Sequence, residues 1–243
     1  MGLTGAAVAQ APTALPAELR SRTRGAWGIL GGTFDPPHYG HLAIAEHVRA
    51  ALDLIGVLFV PAGIPPHKRG QPISPAPDRV AMVEGAIGDN AAFRLSRVEV
   101  DRPGPSYTAD TLALLRADPP RGTSGGGPDV RASGEYVLIL STEALLGLPG
   151  WHEPQRILRQ CLVAVVPRPG YRAPGRAWFS EHFPGQEGRV VFVEGPELGH
   201  SASLIRRYAA AGLPIRYLVP PAVEAYVEEH GLYDAWPSAA GEP

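Results

Sequence analysis

The sequence predicts an α/β fold, in which a doubly wound parallel sheet is followed by a small helical segment at the C-terminal end. Three observations predict it. Short apolar runs alternate with stretches of helical periodicity, as in a parallel sheet with helices on both faces. A glycine turn follows the first apolar run and leads into a helical stretch. A length of 243 residues suits one such domain with a small appendage.

The expected domain spans residues 25–233, with a disordered leader over residues 1–24 and a flexible tail over residues 234–243. The leader is rich in Ala, Pro and Thr, and it lacks the basic start and Leu-rich centre of a signal peptide. The only cysteine, Cys161, excludes an internal disulfide framework and fits a reducing compartment. We therefore expect a cytoplasmic protein in which this thiol is buried and inert.

Charge and hydropathy exclude two classes of partner. The formal net charge is −2, which gives no global reason to expect binding to nucleic acid or to a membrane surface. No apolar stretch approaches the length of a membrane span. The oligomeric state is not predicted by any of these features.

The first half of the chain begins with a strand predicted at Ala26–Leu30, because this segment is short and apolar. A helix resumes near His41, where apolar residues recur at helical spacing: Leu42, Ala45, Val48 and Leu52. Next come a strand, a loop, a helix with Asp78 as its N-cap, and a strand: Val57–Pro61, Ala62–Arg69, Asp78–Gly88 and Phe93–Val100. The following helix is predicted to be capped by Ser106 or Thr108.

The second half repeats the alternation after a flexible surface loop, predicted at residues 118–134 from their Gly and Pro content. Three strands are predicted: Tyr136–Leu140, Leu162–Val166 and Arg189–Val193. Residues 171–188 are predicted to be an irregular excursion between the last two. Two helices close the chain, Ser203–Ala211 and Pro221–His230.

A phosphate site is predicted at the glycine turn. Gly31 and Gly32 allow the backbone to approach a ligand closely, because they carry no Cβ. A glycine turn that feeds a helix N-terminus is an anion site, since the N–H groups and the helix dipole point the same way. His38 and His41 lie at the same point and add donors that can be adjusted by protonation.

A second candidate is Lys68, the only lysine among the 22 Lys and Arg residues. It lies in the loop after the second predicted strand, directly after His67. In open α/β sheets ligands lie beyond the carboxyl ends of the strands, so this loop shares a rim with the glycine turn. A solvated basic loop is the alternative interpretation, and the position on the rim favours a phosphate contact.

The string Gly31-Gly32-Thr33-Phe34-Asp35, continued by Pro-x-His-Tyr-Gly-His, resembles the signature of the nucleotidyltransferase superfamily with an H-x-G-H motif. In its full length it resembles the bacterial nicotinate-nucleotide adenylyltransferase family, and similar segments follow in order as far as Tyr233. This resemblance implies a Rossmann-like nucleotidyltransferase fold. It also implies transfer of an adenylyl group from ATP to nicotinic acid mononucleotide, with Mg²⁺ accompanying ATP and no metal site on the protein itself.

The resemblance also implies roles for individual residues. The catalytic residues would be His41, His38 and Lys68, while Asp35 is expected to be structural and to fix the turn. ATP would be bound by Gly31, Gly32, Thr33, Phe34, His38, His41, Lys68, Ser201, Ser203 and Arg206. The mononucleotide would be bound by Tyr107, Thr108, Ser141, Glu143, Trp151, His152 and Arg168. In that set Trp151 would stack on the nicotinate ring, Arg168 would hold the phosphate, and His152 would contribute its backbone N–H.

The chain departs from the family at two places. Ser141-Thr142-Glu143 stands where the family usually has Gly-Ala-Asp or Gly-x-Asp, so the carboxylate expected at the ribose hydroxyls is one methylene longer. Ala202 replaces a residue that would supply a hydroxyl donor. These departures leave open an adenylyltransferase for nicotinamide mononucleotide or phosphopantetheine, and a non-catalytic nucleotide binder.

Two further classes of site are disfavoured by the residues themselves. His38 and His41 could bind Zn²⁺, but no further Cys/His cluster stands nearby in sequence. A nicotinamide-dependent oxidoreductase would require G-x-G-x-x-G after the first strand, and this fingerprint is absent there.

Overall fold

The structure, a computed structural model, describes residues 17–68, 70–119, 135–195, 199, 201–234 and 236. Its strands are β1 (Trp27–Gly32), β2 (Gly56–Pro61), β3 (Phe93–Leu95), β4 (Tyr136–Ser141), β5 (Leu162–Val166) and β6 (Val190–Phe192). Its helices are α1 (Ala17–Thr23), α2 (Tyr39–Ala51), α3 (Ala76–Ile87), α4 (Thr108–Ala117), α5 (Thr142–Gly147), α6 (Pro154–Gln160), α7 (Arg176–His182), α8 (Ala202–Ala210) and α9 (Pro221–Glu229).

The strands form one parallel sheet in the order β3-β2-β1-β4-β5-β6, which confirms the predicted doubly wound fold. Strand order reverses between β1 and β4. The β1–β2 ladder runs the full length of β1, whereas the β1–β4 ladder joins only Trp27–Ile29 to Tyr136–Leu138. A crevice therefore opens between the carboxyl ends of β1 and β4, at the position where doubly wound folds bind ligands.

Two apolar cores lie on opposite faces of this sheet. Neighbouring residues of β1 alternate between them, with Leu30 in one core and Ile29 in the other. One core contains residues of α2, α3 and α9, and the other contains residues of α4 and α6. Each fully buried apolar side chain, such as Val83 or Leu112, stabilises the fold by about 1.5–3 kcal/mol relative to exposure.

Two predicted elements differ from the structure. The strand predicted at Phe93–Val100 ends at Leu95, although the backbone N–H of Ser96 still donates to the carbonyl of Phe59 at 2.9 Å. The prediction extends the strand to Val100 because polar and apolar residues alternate there, but the polar residue Glu99 is itself buried. Within the predicted excursion of residues 171–188 lies the helix α7, which is held by its buried Phe179.

The predicted helix caps are also wrong. Asp78 lies in the first turn of α3 rather than at its N-cap, which is Pro75, and its carboxylate accepts from the Tyr226 hydroxyl of α9 at 3.0 Å. Neither Ser106 nor Thr108 caps α4. The hydroxyl of Ser106 instead accepts from the backbone N–H of Gly63 at 2.9 Å, so it joins two loops at the rim of the sheet.

The structure describes part of the predicted leader and part of the predicted tail. Helix α1 lies within the predicted leader, and its Thr23 hydroxyl donates to the carbonyl of Leu52 at 2.6 Å. In the predicted tail, the ring of Trp236 packs 4.6 Å from the guanidinium carbon of Arg206. The remaining predictions for residues 1–16, 120–134, 235 and 237–243 lie outside the described residues. Within the described part, no helix is long and apolar enough to cross a membrane.

Candidate active site

The glycine turn lies at the carboxyl end of β1, beside the crevice. Gly31 faces open space, since no atom lies within 4 Å of where a Cβ would be. A Cβ on Gly32 would approach the Phe34 ring to 3.2 Å. Phe34 adopts a left-handed backbone with φ of 52° and buries its ring beneath the turn. The backbone of the turn is therefore exposed at Gly31, whereas the side chain of Phe34 faces the core.

His38 and His41 come together at the start of α2. His38 is the N-cap, and its backbone N–H donates to Nδ1 of His41 at 3.2 Å. The two imidazoles stack with their centroids 3.8 Å apart, and the edge of the Phe34 ring contacts His41. Because Nδ1 of His41 accepts, Nε2 carries the proton in the neutral ring. His41 is thus oriented as a hydrogen-bond donor at a helix N-terminus.

Asp35 has the structural position expected for it. Its side chain is buried, and its two carboxylate oxygens accept from the backbone N–H of Ser74 at 3.1 Å and from the Tyr233 hydroxyl at 2.8 Å. Burial and the nearby Asp35 charge raise the pKa of the Tyr233 phenol, which keeps it a donor. Among the described residues no group of three His, Cys, Asp or Glu side chains could hold a metal ion.

Lys68 and Arg206 make the rim positive. Lys68 is half-buried, and its pKa is lowered first by burial and then by the positive charges of Arg206 and Arg79, while Asp35 opposes this. Arg206 donates to the carbonyl of Asp35 and, through Nη2, to the Ser203 hydroxyl at 3.2 Å. Because the charges of Arg206 and Arg79 lower the pKa of Lys68, the fold holds these cations close to it, and an anion would relieve the repulsion.

Helix α8 supplies Ser201 and Ser203. Ser201 is the N-cap, and its hydroxyl accepts from the backbone N–H of Leu204 at 3.4 Å. Part of the hydrogen-bonding capacity of this hydroxyl is therefore used to cap the helix. Ser203 is exposed and is joined to the glycine turn through Arg206. The side chain of His67 and residue His200 lie outside the described part of the chain.

Four of the predicted acceptor residues lie around the start of α4 and in the loop before α6: Tyr107, Thr108, Trp151 and His152. Thr108 is the first residue of α4, and Trp151 is half-buried against the core below. The rings of Tyr107 and His152 stack with their centroids 4.3 Å apart. The imidazole of His152 thus covers one face of the Tyr107 ring, in addition to the backbone N–H that it is expected to contribute.

Arg156, on α6, was not identified from the sequence. Its Nη1 donates to Asp110 of α4 at 3.1 Å and to Glu153 at 2.6 Å. Glu153 has a left-handed backbone with φ of 49°, directly after the loop that carries Trp151. Arg156 therefore braces the Trp151 loop against the start of α4. An arginine within a helical pattern gives no sequence signal for such a role.

The unusual Glu143 is paired with the predicted ligand Arg168 and with Tyr171. Its carboxylate accepts from Nε of Arg168 at 2.8 Å and from the Tyr171 hydroxyl at 3.1 Å. This hydrogen bond raises the pKa of the Tyr171 phenol. Ser141, by contrast, caps α5 by accepting from the backbone N–H of Ala144 at 3.2 Å. The loop after β5 is thus joined to the end of β4 by the residue that departs from the family pattern.

Comparison with known proteins gives three kinds of match. Residues 29–208 match the model of the cytidylyltransferase-like family. Probable nicotinate-nucleotide adenylyltransferases from Roseiflexus sp. strain RS-1 and Thermomicrobium roseum are 48% and 44% identical over 206 residues, covering 85% of this chain and 96% and 90% of theirs. The Plasmodium falciparum nicotinic acid mononucleotide adenylyltransferase complexed with NaAD has a TM-score of 0.66 at 16% identity, covering 87% of this chain and 98% of that chain.

Proposed function

This chain belongs to the nicotinate-nucleotide adenylyltransferases of the cytidylyltransferase-like family, and from that premise we propose that it transfers the adenylyl group of ATP to nicotinic acid mononucleotide. The products would be deamido-NAD and pyrophosphate, which places the reaction in NAD biosynthesis. The observation that carries the proposal is the positive rim beside the glycine turn. There Arg206 donates to the carbonyl of Asp35, three residues before the N-cap of α2, and its charge acts on Lys68.

The reaction needs charge stabilisation more than proton transfer. An oxygen of the mononucleotide phosphate bonds to the α-phosphorus of ATP, and the bond from that phosphorus to the bridging oxygen breaks. The electron pair leaves with pyrophosphate. The attacking oxygen is already an anion, so neither a general base nor a covalent enzyme intermediate is required.

The residues of the rim would divide the phosphates between them. His41 donates from Nε2, and with His38 it takes the oxygens of the α- and β-phosphates. Backbone N–H groups of Gly32, Thr33 and Phe34 approach the same oxygens at the turn. Lys68 and Arg206 take the β- and γ-phosphates, and Ser201 and Ser203 start the helix beside them. Donors held by the fold before the reaction stabilise the transition state without reorganising.

Mg²⁺ would arrive with ATP and neutralise phosphate charge. The site fits an ion held by phosphates and water, because both carboxylate oxygens of Asp35 already accept hydrogen bonds within the protein. The chain's own residues would bind the outer phosphate oxygens. A cytoplasmic location is proposed with the function, since a buried, unpaired Cys161 agrees with a reducing compartment.

The mononucleotide would lie across the crevice. Trp151 offers an aromatic face to the pyridine ring, and Thr108 opens a helix whose N–H groups favour a carboxylate over a neutral amide. Arg168 would take the mononucleotide phosphate, and Glu143 the ribose hydroxyls. In the free protein Nε of Arg168 pairs with the Glu143 carboxylate, so the mononucleotide would compete with this ion pair for both side chains.

One assay tests the proposal. Purified protein is given ATP and Mg²⁺ with nicotinic acid mononucleotide, nicotinamide mononucleotide or phosphopantetheine, and pyrophosphate release is measured. The acid form is expected to have the highest kcat/KM. A higher value for either other acceptor would reassign the substrate. Binding of ATP without release of pyrophosphate from any acceptor would identify a non-catalytic nucleotide binder.

A further inference from the structure

Arg79 is a buried cation that takes no part in the reaction described above. It lies on α3, is 2% exposed, and hydrogen-bonds to three backbone carbonyls from three segments. Nε donates to Ser74 at 2.9 Å, Nη1 to Thr33 at 2.8 Å, and Nη2 to Gly63 at 3.3 Å. Thr33 belongs to the glycine turn, Gly63 to the loop that leads to Lys68, and Ser74 to the segment before α3. One side chain thus joins the glycine turn to the loop that leads to Lys68.

The bond to Thr33 has a direct effect on the turn. The carbonyl of Thr33 and the N–H of Phe34 belong to one planar trans peptide, in which the two groups point in opposite directions. A carbonyl aimed at the buried guanidinium therefore turns the Phe34 N–H away from the interior. The left-handed backbone of Phe34 needs such a restraint, because a bulky residue at φ of 52° is strained unless its surroundings hold it.

The hydrogen bond from Arg79 to Gly63 restrains the loop that leads to Lys68. A Cβ at Gly63 would approach the carbonyl oxygen of Glu99 to 2.3 Å, so this loop is packed closely on its other side. Arg79 therefore holds the Gly63 carbonyl at a set distance from the glycine turn, five residues before Lys68. Its positive charge also adds to the field at Lys68.

The surroundings of Arg79 allow its charge to remain buried. Burial lowers its pKa, and the charge of Asp35 opposes that effect. Ser74 connects the two residues, because its N–H donates to Asp35 while its carbonyl accepts from Arg79. A buried charge is costly even when it is hydrogen-bonded, so a hydrophobic side chain here could stabilise the free protein. The arrangement is therefore better explained by the geometry that it imposes on the rim.

We propose that Arg79 is a positioning residue of the ATP phosphate site, which aims the Phe34 N–H and sets the separation between the glycine turn and the Lys68 loop. The inference rests on the proposed function. It assigns to Arg79 a larger effect on ATP than on the mononucleotide, because Arg79 contacts the glycine turn and the loop that leads to Lys68 directly, whereas it reaches the start of α4 only through the hydrogen bond between Gly63 and Ser106.

The test compares Arg79→Met, which removes all donors, with Arg79→Lys, which keeps the charge on a single ammonium. Val83→Ala is the matched control, since it removes buried apolar volume from the same helix without touching the rim. For each variant the dissociation constant for ATP, both KM values and hydrogen exchange over residues 31–35 are measured well below the melting temperature. Arg79→Lys tests the same claim if Arg79→Met does not fold.

Both Arg79 variants are expected to weaken ATP binding by about 10–100-fold, the effect of misplacing a hydrogen bond to a charged group. The mononucleotide KM should rise less than the KM for ATP, and exchange over residues 31–35 should quicken. Val83→Ala should lower the melting temperature and leave the ATP dissociation constant unchanged. Wild-type ATP binding in the variants, full rescue by Arg79→Lys, or an equal rise in both KM values overturns the proposal. Inactivity of the wild-type protein with all acceptors would instead contradict the proposed function.

Discussion

His41 has two proposed functions, one for each nitrogen of its imidazole. In His41→Ala the donor at Nε2 is lost, and so is the acceptor Nδ1 that receives the His38 N–H at 3.2 Å. Loss of one preorganised donor to a developing oxyanion costs about 2.7–4 kcal/mol, so kcat should fall by about 10²–10³-fold. Loss of the acceptor at a buried helix start costs about 1–3 kcal/mol of stability. This corresponds to a lower melting temperature, by roughly 2–4 °C for each kcal/mol in a domain of this size.

His41→Asn is the control, because its side-chain oxygen can take the place of Nδ1 but cannot reach the position of Nε2. It should recover much of the stability lost in His41→Ala and little of the turnover. Pyrophosphate release at saturating substrates gives kcat, and thermal unfolding of the free protein gives stability. If His41→Asn restores both properties, or if His41→Ala turns over at the wild-type rate, the donor role of Nε2 is refuted.

Four further outcomes are expected. Lys68→Met should weaken ATP use and raise the melting temperature at neutral pH. The lowered pKa of Lys68 means that its charge destabilises the fold, and the substitution removes that charge. The gain in melting temperature should shrink as pH rises through the lowered pKa towards 10.5, because Lys68 then loses its charge in the wild-type protein. Trp151→Ala should raise the KM for the mononucleotide, with the KM for ATP as the internal control; an unchanged acceptor KM would mean that the pocket is misplaced. Glu143→Gln should lower the pKa of Tyr171 towards its ordinary value in an NMR titration, and no change would contradict the hydrogen bond between them. Burial raises the pKa of Cys161 to about 12, so iodoacetamide should modify it only on unfolding, and rapid reaction of the folded protein would contradict its burial.

The sheet could be predicted because its strands are apolar runs bounded by glycine, proline or helical periodicity. The prediction failed where a polar residue was buried or an element was short. Glu99 continues the alternation of a strand although it lies beyond β3, where it is buried and accepts from the Thr111 hydroxyl at 2.6 Å. Helix α7 has only seven residues, and glycines and prolines surround it, so local pattern could not separate it from a loop.

The candidate site also contains residues that the sequence indicates and residues that it does not. Residues of the glycine turn and its two histidines were found because their spacing along the chain reflects one local structure. Arg79 and Arg156 were missed because the contacts that connect them to other loops and helices are 16–46 residues distant in sequence, and either arginine could equally face solvent. The pairing of Glu143 with Arg168 could not be foreseen, since it depends on how the ends of β4 and β5 meet.

Lys68 makes the nucleotide site accessible to a chemical probe. It is the single lysine of the sequence, so an amine-directed acylating reagent meets one side-chain amine in the whole chain. The lowered pKa leaves a larger fraction of that amine neutral and nucleophilic than in an ordinary lysine. Labelling at Lys68, read as a mass increment on the peptide that contains it and so separated from labelling of the α-amine, would report directly on whether phosphates occupy the rim, and ATP should protect it in proportion to occupancy.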